Sequence, residues 1–192
     1  MDFSSVERDY AKARANYALA MPEHFNFAFD VIDDWARRDD HTAIIAVSRD
    51  GETVERLAFS FFSESSNRFA NALRAIGIEA GDFACVVVGR VPAWYTVLFG
   101  CMKAGVVSMP GTNLLTGHDI AYRVNHSGAR AVVVTSEHCA KVDAIRPQCP
   151  SLTTFIVVDG AREGWLSLDA LLADASPLLD RAAFPKTRST DM

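Results

Sequence analysis

Two turns in this chain carry groups that could be brought to bear on a ligand. Gly89-Arg90-Val91-Pro92 follows one apolar run, and Pro110-Gly111-Thr112-Asn113 follows the next. A phosphate cradle requires several backbone N–H groups close to the anion, which is why such loops are glycine-rich and open into a helix N-terminus. The first turn has a single glycine and a proline that lacks an N–H, so it makes a poor cradle. The second is tighter. Its glycine and hydroxyl, Gly111 and Thr112, leave room for a ligand chain to pass beside the backbone, and they describe an ordinary β-turn equally well. Arg90 and Trp94 set a cation and an aromatic at a strand-to-helix junction, where they could stack or hold a carboxylate. The competing reading makes Trp94 a core residue and Arg90 an ion-pair partner.

The other reactive residue types are spaced against chemistry. Cys85, Cys101, Cys139 and Cys149 lie 16, 38 and 10 apart, with no C-x-x-C, so neither a zinc knuckle nor a redox dithiol is expected. They read as reduced thiols, and Cys85 and Cys101 sit inside apolar runs as small hydrophobes. His24, His41, His118, His126 and His138 show no i,i+4 pair and no H-E-x-x-H, so no metal site is expected. Ser60, Ser63, Ser65 and Ser66 lack a G-x-S-x-G elbow and read as helix-cap and first-turn residues.

These groups must be positioned by a real core. The chain has 192 residues, 49% of them hydrophobic and 22% charged, a composition that buries a core and lies far from disorder. A net charge of -5 with scattered Lys and Arg excludes a nucleic-acid or anionic-membrane surface, because both need a concentrated positive field. No apolar run reaches the ~20 residues of a membrane span, and Asp2, Glu7, Arg8 and Asp9 stand where a signal peptide would be basic and then apolar. A cytoplasmic location is expected.

The periodicity predicts a polar helix over Ser5–Leu19 capped by Ser4 or Ser5, and an amphipathic helix from Asn26 with Phe27, Val31, Ile32 and Trp35 on one face. Thr42–Val47 and Val54–Phe59 form a hairpin around Asp50-Gly51. Ser60 caps a helix carrying Phe62, Ser66, Phe69, Leu73 and Ile76, which stops at Gly77. Strands at Phe83–Val88, Val106–Met109, Ala131–Thr135 and Thr154–Val158 then alternate with helices from Pro92, at Thr116–His126 and at Ser136–Ile145. The unbroken valines at 86–88 and 132–134 mark strands covered on both faces. The fold class is α/β: an N-terminal hairpin and helices followed by a doubly wound, mostly parallel sheet layer.

Several ordered segments resemble AMP-forming acyl-CoA synthetases of the adenylate-forming superfamily, most closely the medium-chain branch: FNFAFDVIDDWA at 25–36, SESSNRFANALRAIG at 63–77, GRVPAWYTVLFGCMKAG at 89–105, MPGT at 109–112 and IAYRVNHSGARAVVV at 120–134. The resemblance implies a partial version of the large N-terminal domain over 25–175, a helical extension at 1–24 and a connector at 176–192 leading towards an ATP-binding loop. It implies ATP, Mg and CoA as cofactors of the full-length enzyme and a fatty or aromatic carboxylic acid as substrate. Gly111 and Thr112 match a turn beside the pantetheine passage, and Lys141 falls near a basic residue that faces the CoA nucleotide. No catalytic or metal residue is carried over.

In the family the Ser/Thr/Gly-rich triphosphate loop follows the last residues of this chain, and a lysine on a mobile lobe comes later still. The isolated chain is therefore expected to be inactive as a ligase and to hold no cofactor tightly. Two other readings stay open, a non-catalytic docking module of the same fold and one half of a split synthetase completed by another polypeptide; a complementing chain or a homo-oligomer is the expected partner. The sheet layer beginning at Phe83 is expected to expose an apolar face that later segments would cover.

Overall fold

The computed structural model describes residues 10–18 and 21–191. Helix α1 (Tyr10–Asn16) lies within the predicted N-terminal helix; the Ser4 or Ser5 cap falls outside the described residues. The helix expected from Asn26 is divided into a π-helical turn at Ala28–Ile32 and α2 (Asp33–Arg38). Asn26 sets the start of the turn: its Oδ1 accepts from the N–H of Ala28 at 3.1 Å, and its own N–H donates to Asp30 Oδ2 at 2.7 Å.

Strands β1 (Thr42–Val47) and β2 (Val54–Ala58) form the expected antiparallel hairpin, with Gly51 at φ 79° in the turn. Helix α3 (Phe59–Ala75) follows directly. Ser60 does not cap it, contrary to expectation. It lies within the first turn, and its N–H donates to Asp40 Oδ1 at 2.8 Å. A carboxylate brought across from the connection between α2 and β1 is a stronger acceptor at a positive helix terminus than a local hydroxyl. Ser63 and Ser65 also do more than fill the first turn, since Ser63 Oγ donates to Asp33 Oδ1 at 2.7 Å and Ser65 Oγ meets Thr96 Oγ1 at 3.0 Å.

The second layer is a five-stranded, wholly parallel sheet in the order β4-β3-β5-β6-β7, built from β3 (Phe83–Val87), β4 (Val107–Pro110), β5 (Ala131–Val134), β6 (Thr154–Val157) and β7 (Leu166–Ser167). Helices α4 (Ala93–Ala104), α5 (Gly117–Ser127) and α6 (Cys139–Asp143) connect successive strands. Thr116 and Asp119 form a capping box at the start of α5, and Gly105 ends α4 in the left-handed conformation. The strand β7 and helix α7 (Leu168–Asp174) were not anticipated. A two-residue strand leaves no periodicity to read.

Side chains alternate across the sheet as strand geometry dictates. Ala84, Val86, Ala131, Val133 and Ile156 point to one face, where Phe69, Leu73, Val97 and Cys101 of α3 and α4 and Leu168 of α7 meet them. Cys85, Val87, Val132, Val134 and Val157 point to the other, against Ile120 and Val124 of α5 and Val142 of α6. Both faces are covered from within the chain, which corrects the expectation of an open layer. The reason is α3, which precedes the sheet in sequence and returns beside α4. The large apolar residues left exposed on strands include Ile45, Val47 and Val54 of the hairpin.

The segment from 176 onward packs back onto this body. Asn71 Nδ2 donates to the carbonyls of Ser176 and Leu178 at 2.8 and 3.0 Å, Phe184 enters the core, and Phe25 N–H donates to Thr187 O at 3.0 Å.

Candidate ligand groove

The sheet order places β3 between β4 and β5, so the winding reverses at β3. In such sheets ligands sit outside the carboxyl ends of the strands near this reversal. A groove with a volume of about 1000 Å³ opens there. One wall is Val88–Pro92 with Trp94 and Tyr95, the floor is Gly111–Asn113, and the other wall is the hairpin from Ile44 to Arg49 with Glu55.

Local packing fixes each part. Gly111 N–H donates to Val86 O at 2.8 Å, continuing the sheet by one residue. A Cβ on Gly111 would lie 2.5 Å from Leu115 Cδ1, so the glycine is what allows Leu115 to seat under the loop. Thr112 is exposed, and its Oγ1 accepts weakly from Leu114 N–H at 3.4 Å. Asn113 reaches back across the groove floor, placing Nδ2 only 3.1 Å from where a Gly89 Cβ would be.

Gly111 and Thr112 thus line the groove, whereas Lys141 stands behind it. Its Nζ donates to Leu115 O at 2.6 Å, tying α6 to the loop that begins at Thr112. Trp94 is half-buried, packs edge-on to Tyr95 at 5.0 Å between centroids, and shows part of its ring to the groove. Arg90 is exposed and forms no ion pair among the described residues, which corrects its reading as an ion-pair partner. With Arg49 it supplies positive charge to a largely apolar cleft. The hairpin wall was not legible, because nothing in the local pattern around Ile44–Arg49 points to a turn some forty residues later.

Two of the carboxyl-edge loops spend hydrogen-bond donors within the chain. At the start of α4, Pro92 has no N–H, while the N–H groups of Val91, Trp94 and Tyr95 donate to Gly89 O, Val91 O and Pro92 O. After β5, the N–H and Oγ of Ser136 are both given to the Asp159 carboxylate. A phosphate beside Ser136 would meet the Asp159 carboxylate, which already holds both of its donors. Among the described residues no group of three His, Cys, Asp or Glu is gathered as a metal site, and none of the helices is long and apolar enough to cross a membrane.

A doubly wound parallel layer with a groove at its carboxyl edge and an attached hairpin defines the class of fold. The chain belongs to the AMP-binding enzyme family, whose sequence profile matches residues 32–190. It is 43% identical over 166 residues to the mitochondrial acyl-coenzyme A synthetase ACSM2 of Rattus norvegicus, covering 82% of this chain and 29% of that protein. To the human mitochondrial acyl-coenzyme A synthetase ACSM1 it is 38% identical over 165 residues, covering 82% and 28%. The chain therefore spans less than a third of the length of these relatives. Among solved structures it is similar in fold to the anthranilate CoA ligase AuaEII in complex with anthranoyl-AMP, with a TM-score of 0.75, 22% identity, and coverage of 88% of this chain and 31% of that one. A Brucella canis acyl-CoA synthetase gives a TM-score of 0.74 at 24% identity, covering 91% and 32%.

Proposed function

We propose that these residues are the N-terminal portion of an AMP-forming acyl-CoA synthetase, which joins a fatty or aromatic carboxylic acid to CoA through an acyl-adenylate, with ATP consumed and AMP and pyrophosphate released. The observation that carries the reading is the 43% identity to the rat acyl-coenzyme A synthetase across 82% of the chain. In the assembled enzyme the groove is the CoA side of the site. Gly111 and Thr112 border the passage for the pantetheine arm, and Lys141 holds the loop that carries them and lends positive charge towards the nucleotide of CoA. The groove suits a thin, amphipathic chain: it is mostly apolar, a glycine lies on its floor, and Arg49 and Arg90 stand on its walls.

By itself the chain is inactive in this reading. Adenylation needs charge stabilisation on a departing pyrophosphate, and at the end of β5 the donors of Ser136 are already given to the Asp159 carboxylate. ATP and Mg are held by residues outside the span described. A cytoplasmic location is our reading, set against relatives whose names place them in mitochondria.

Two assays test this. Acid-dependent exchange between ATP and pyrophosphate should stay at background for the purified chain. Acyl-CoA formation should appear when the chain is combined with the polypeptide that follows the matched segment in the rat relative. Exchange by the chain alone would refute the inactivity, and an inert mixture would refute the ligase reading.

A further inference from the structure

We propose that the notch between residues 24–29 and residues 181–187 is a second ligand site, suited to a small oxyanion carried on a flat apolar body. The inference is independent of the ligase reading, and the notch shares no residue with the groove that reading uses.

The notch has a volume of about 400 Å³, within the range of small-molecule pockets. His24, Phe25 and Phe29 form one side of it, and Arg181, Pro185 and Lys186 the other. Two permanent cations and a histidine line it without a carboxylate, in a chain whose acids outnumber its bases by 24 to 19. Cations gathered in one cleft set up a positive field there, and a small anion is the ligand that such a field collects.

The two sides are pinned to each other by the chain itself. Phe25 N–H donates to Thr187 O and Ser189 N–H to Glu23 O, both at 3.0 Å, forming an antiparallel bridge centred on His24 and Arg188. Asn26 is buried and fixes the corner, because its Nδ2 donates to Thr187 Oγ1 at 3.0 Å and to Met102 O, in the last turn of α4, at 2.7 Å. A preformed cleft loses little ordering entropy when it takes a ligand.

Arg181 is preset in the same way. Its guanidinium lies 4.8 Å from the centre of the Phe29 ring, and Nη2 donates to Asp30 Oδ1 at 2.9 Å. A guanidinium carries five N–H donors in a rigid fork. One carboxylate contact therefore orients the fork and leaves donors to spare: among the described residues Nε and Nη1 have no partner. Asp30 offsets one unit of charge. Lys186, which makes no hydrogen bond or ion pair among the described residues, leaves the notch positive. Phe25, 41% exposed, and Pro185 add flat apolar surface, which an aromatic ring bearing the anion would cover and a bare ion would leave in water. Such a ligand would touch residues 24–29 and 181–187 at once, so its binding would stabilise the docking of the second segment on the first.

Phenyl phosphate is the probe, with inorganic phosphate as the head alone and phenol as the ring alone. Titrated into the isotope-labelled full chain, phenyl phosphate should move the amide resonances of Phe25, Lys186 and Thr187 along one binding curve. It should bind at least about tenfold more tightly than either fragment. Lys186→Gln and Arg181→Ala should each weaken it at least about fivefold; both side chains are exposed, and unchanged circular dichroism shows that either variant is folded. Because Arg181→Ala also removes the Asp30 pair, Arg181→Lys separates charge from geometry: it keeps the cation, loses the fork, and should fall between the alanine variant and the parent. No binding of phenyl phosphate at millimolar concentration would overturn the proposal. So would resonance shifts confined to residues outside the notch, or an affinity unchanged in both Lys186→Gln and Arg181→Ala. Inorganic phosphate binding as tightly as phenyl phosphate would overturn it as well, reducing the notch to a patch of surface charge. None of these readouts uses adenylation, so failure here leaves the ligase reading standing, and background ATP–pyrophosphate exchange leaves the notch standing.

Discussion

Lys103 Nζ lies 2.7 Å from Asp33 Oδ1, with the lysine side chain fully buried and the aspartate nearly so. The ammonium has three donors and finds three acceptors: Asp33, Asn67 Oδ1 at 2.7 Å and the carbonyl of Ser63 at 3.2 Å. The Phe29 ring lies 5.4 Å away. One cation therefore joins α2, α3 and α4. Burial pulls the Lys103 amine below the ordinary lysine range, and the charge of Asp33 pulls it partly back.

Breaking a buried pair from one side leaves a charge without compensation, which costs about 3–5 kcal/mol. Lys103→Met should therefore lower stability by roughly that amount, whereas the double change Lys103→Met with Asp33→Leu should recover most of the loss. Urea denaturation of the two single variants and the double variant checks this. A double variant no more stable than Lys103→Met would show that the ion pair itself, not relief of an orphaned charge, holds the three helices.

Gly100 of α4 faces Phe69 of α3. A Cβ there would fall 2.6 Å from Phe69 Cδ1 and 2.9 Å from Phe69 Cβ. Gly100→Ala gains up to about 1 kcal/mol of helix propensity and meets an overpacking cost of about 1–3 kcal/mol. Because the second contact is with a side-chain atom next to the backbone of a fully buried residue, the cost prevails. Thermal unfolding should show a net loss, and Phe69→Leu in the same chain should reduce the penalty.

The sheet was legible because fully buried strands have to be apolar in every residue, as at 132–134, and because the start of α5 is set by a local capping box. The Lys103 pair was not. A lysine in AWYTVLFGCMKA has no local feature separating a buried cation from one at the surface, and its partner lies 70 residues earlier. The docking of the tail was equally silent, since Asn71 binds the carbonyls of residues 176 and 178, and carbonyls are the same in every residue type. In the candidate site, Gly111 and Thr112 could be picked out by turn chemistry, but the facing wall of the groove depends on how the hairpin packs against Phe62 and Phe99.

Thiol reactivity should report on global unfolding. Burial pushes Cys101 up to about 12 and Cys85 up to about 11, and the thiolate is the reactive form. At pH 8 neither should react with Ellman's reagent on the timescale of a free thiol, and both should do so at the unfolding rate in urea. Fast labelling of Cys101 in the native protein would show that α4 opens locally.

Asp143 carries stability that acid removes. Burial pushes its carboxyl up, but hydrogen bonds from Arg162 and Trp165 and the charge of Arg146 outweigh that and leave it below its ordinary 3.8. Trp165 Nε1 donates to Oδ1 at 3.0 Å, Arg146 Nη2 lies 2.9 Å from the same oxygen, and Arg162 Nε donates to Oδ2 at 2.9 Å. A carboxylate whose folded value is depressed contributes stability that is complete above its unfolded value and is lost as pH falls through the folded one. Asp143→Asn removes that contribution. The variant should therefore be less stable than the parent at pH 6, and the gap should close as the pH drops below about 3.8 and the parent's own carboxyl takes up a proton. Urea midpoints between pH 6 and pH 3 check the convergence. Parallel curves would mean that the Arg146 stack on Phe155, at 3.7 Å from the ring, holds this corner without help from the charge.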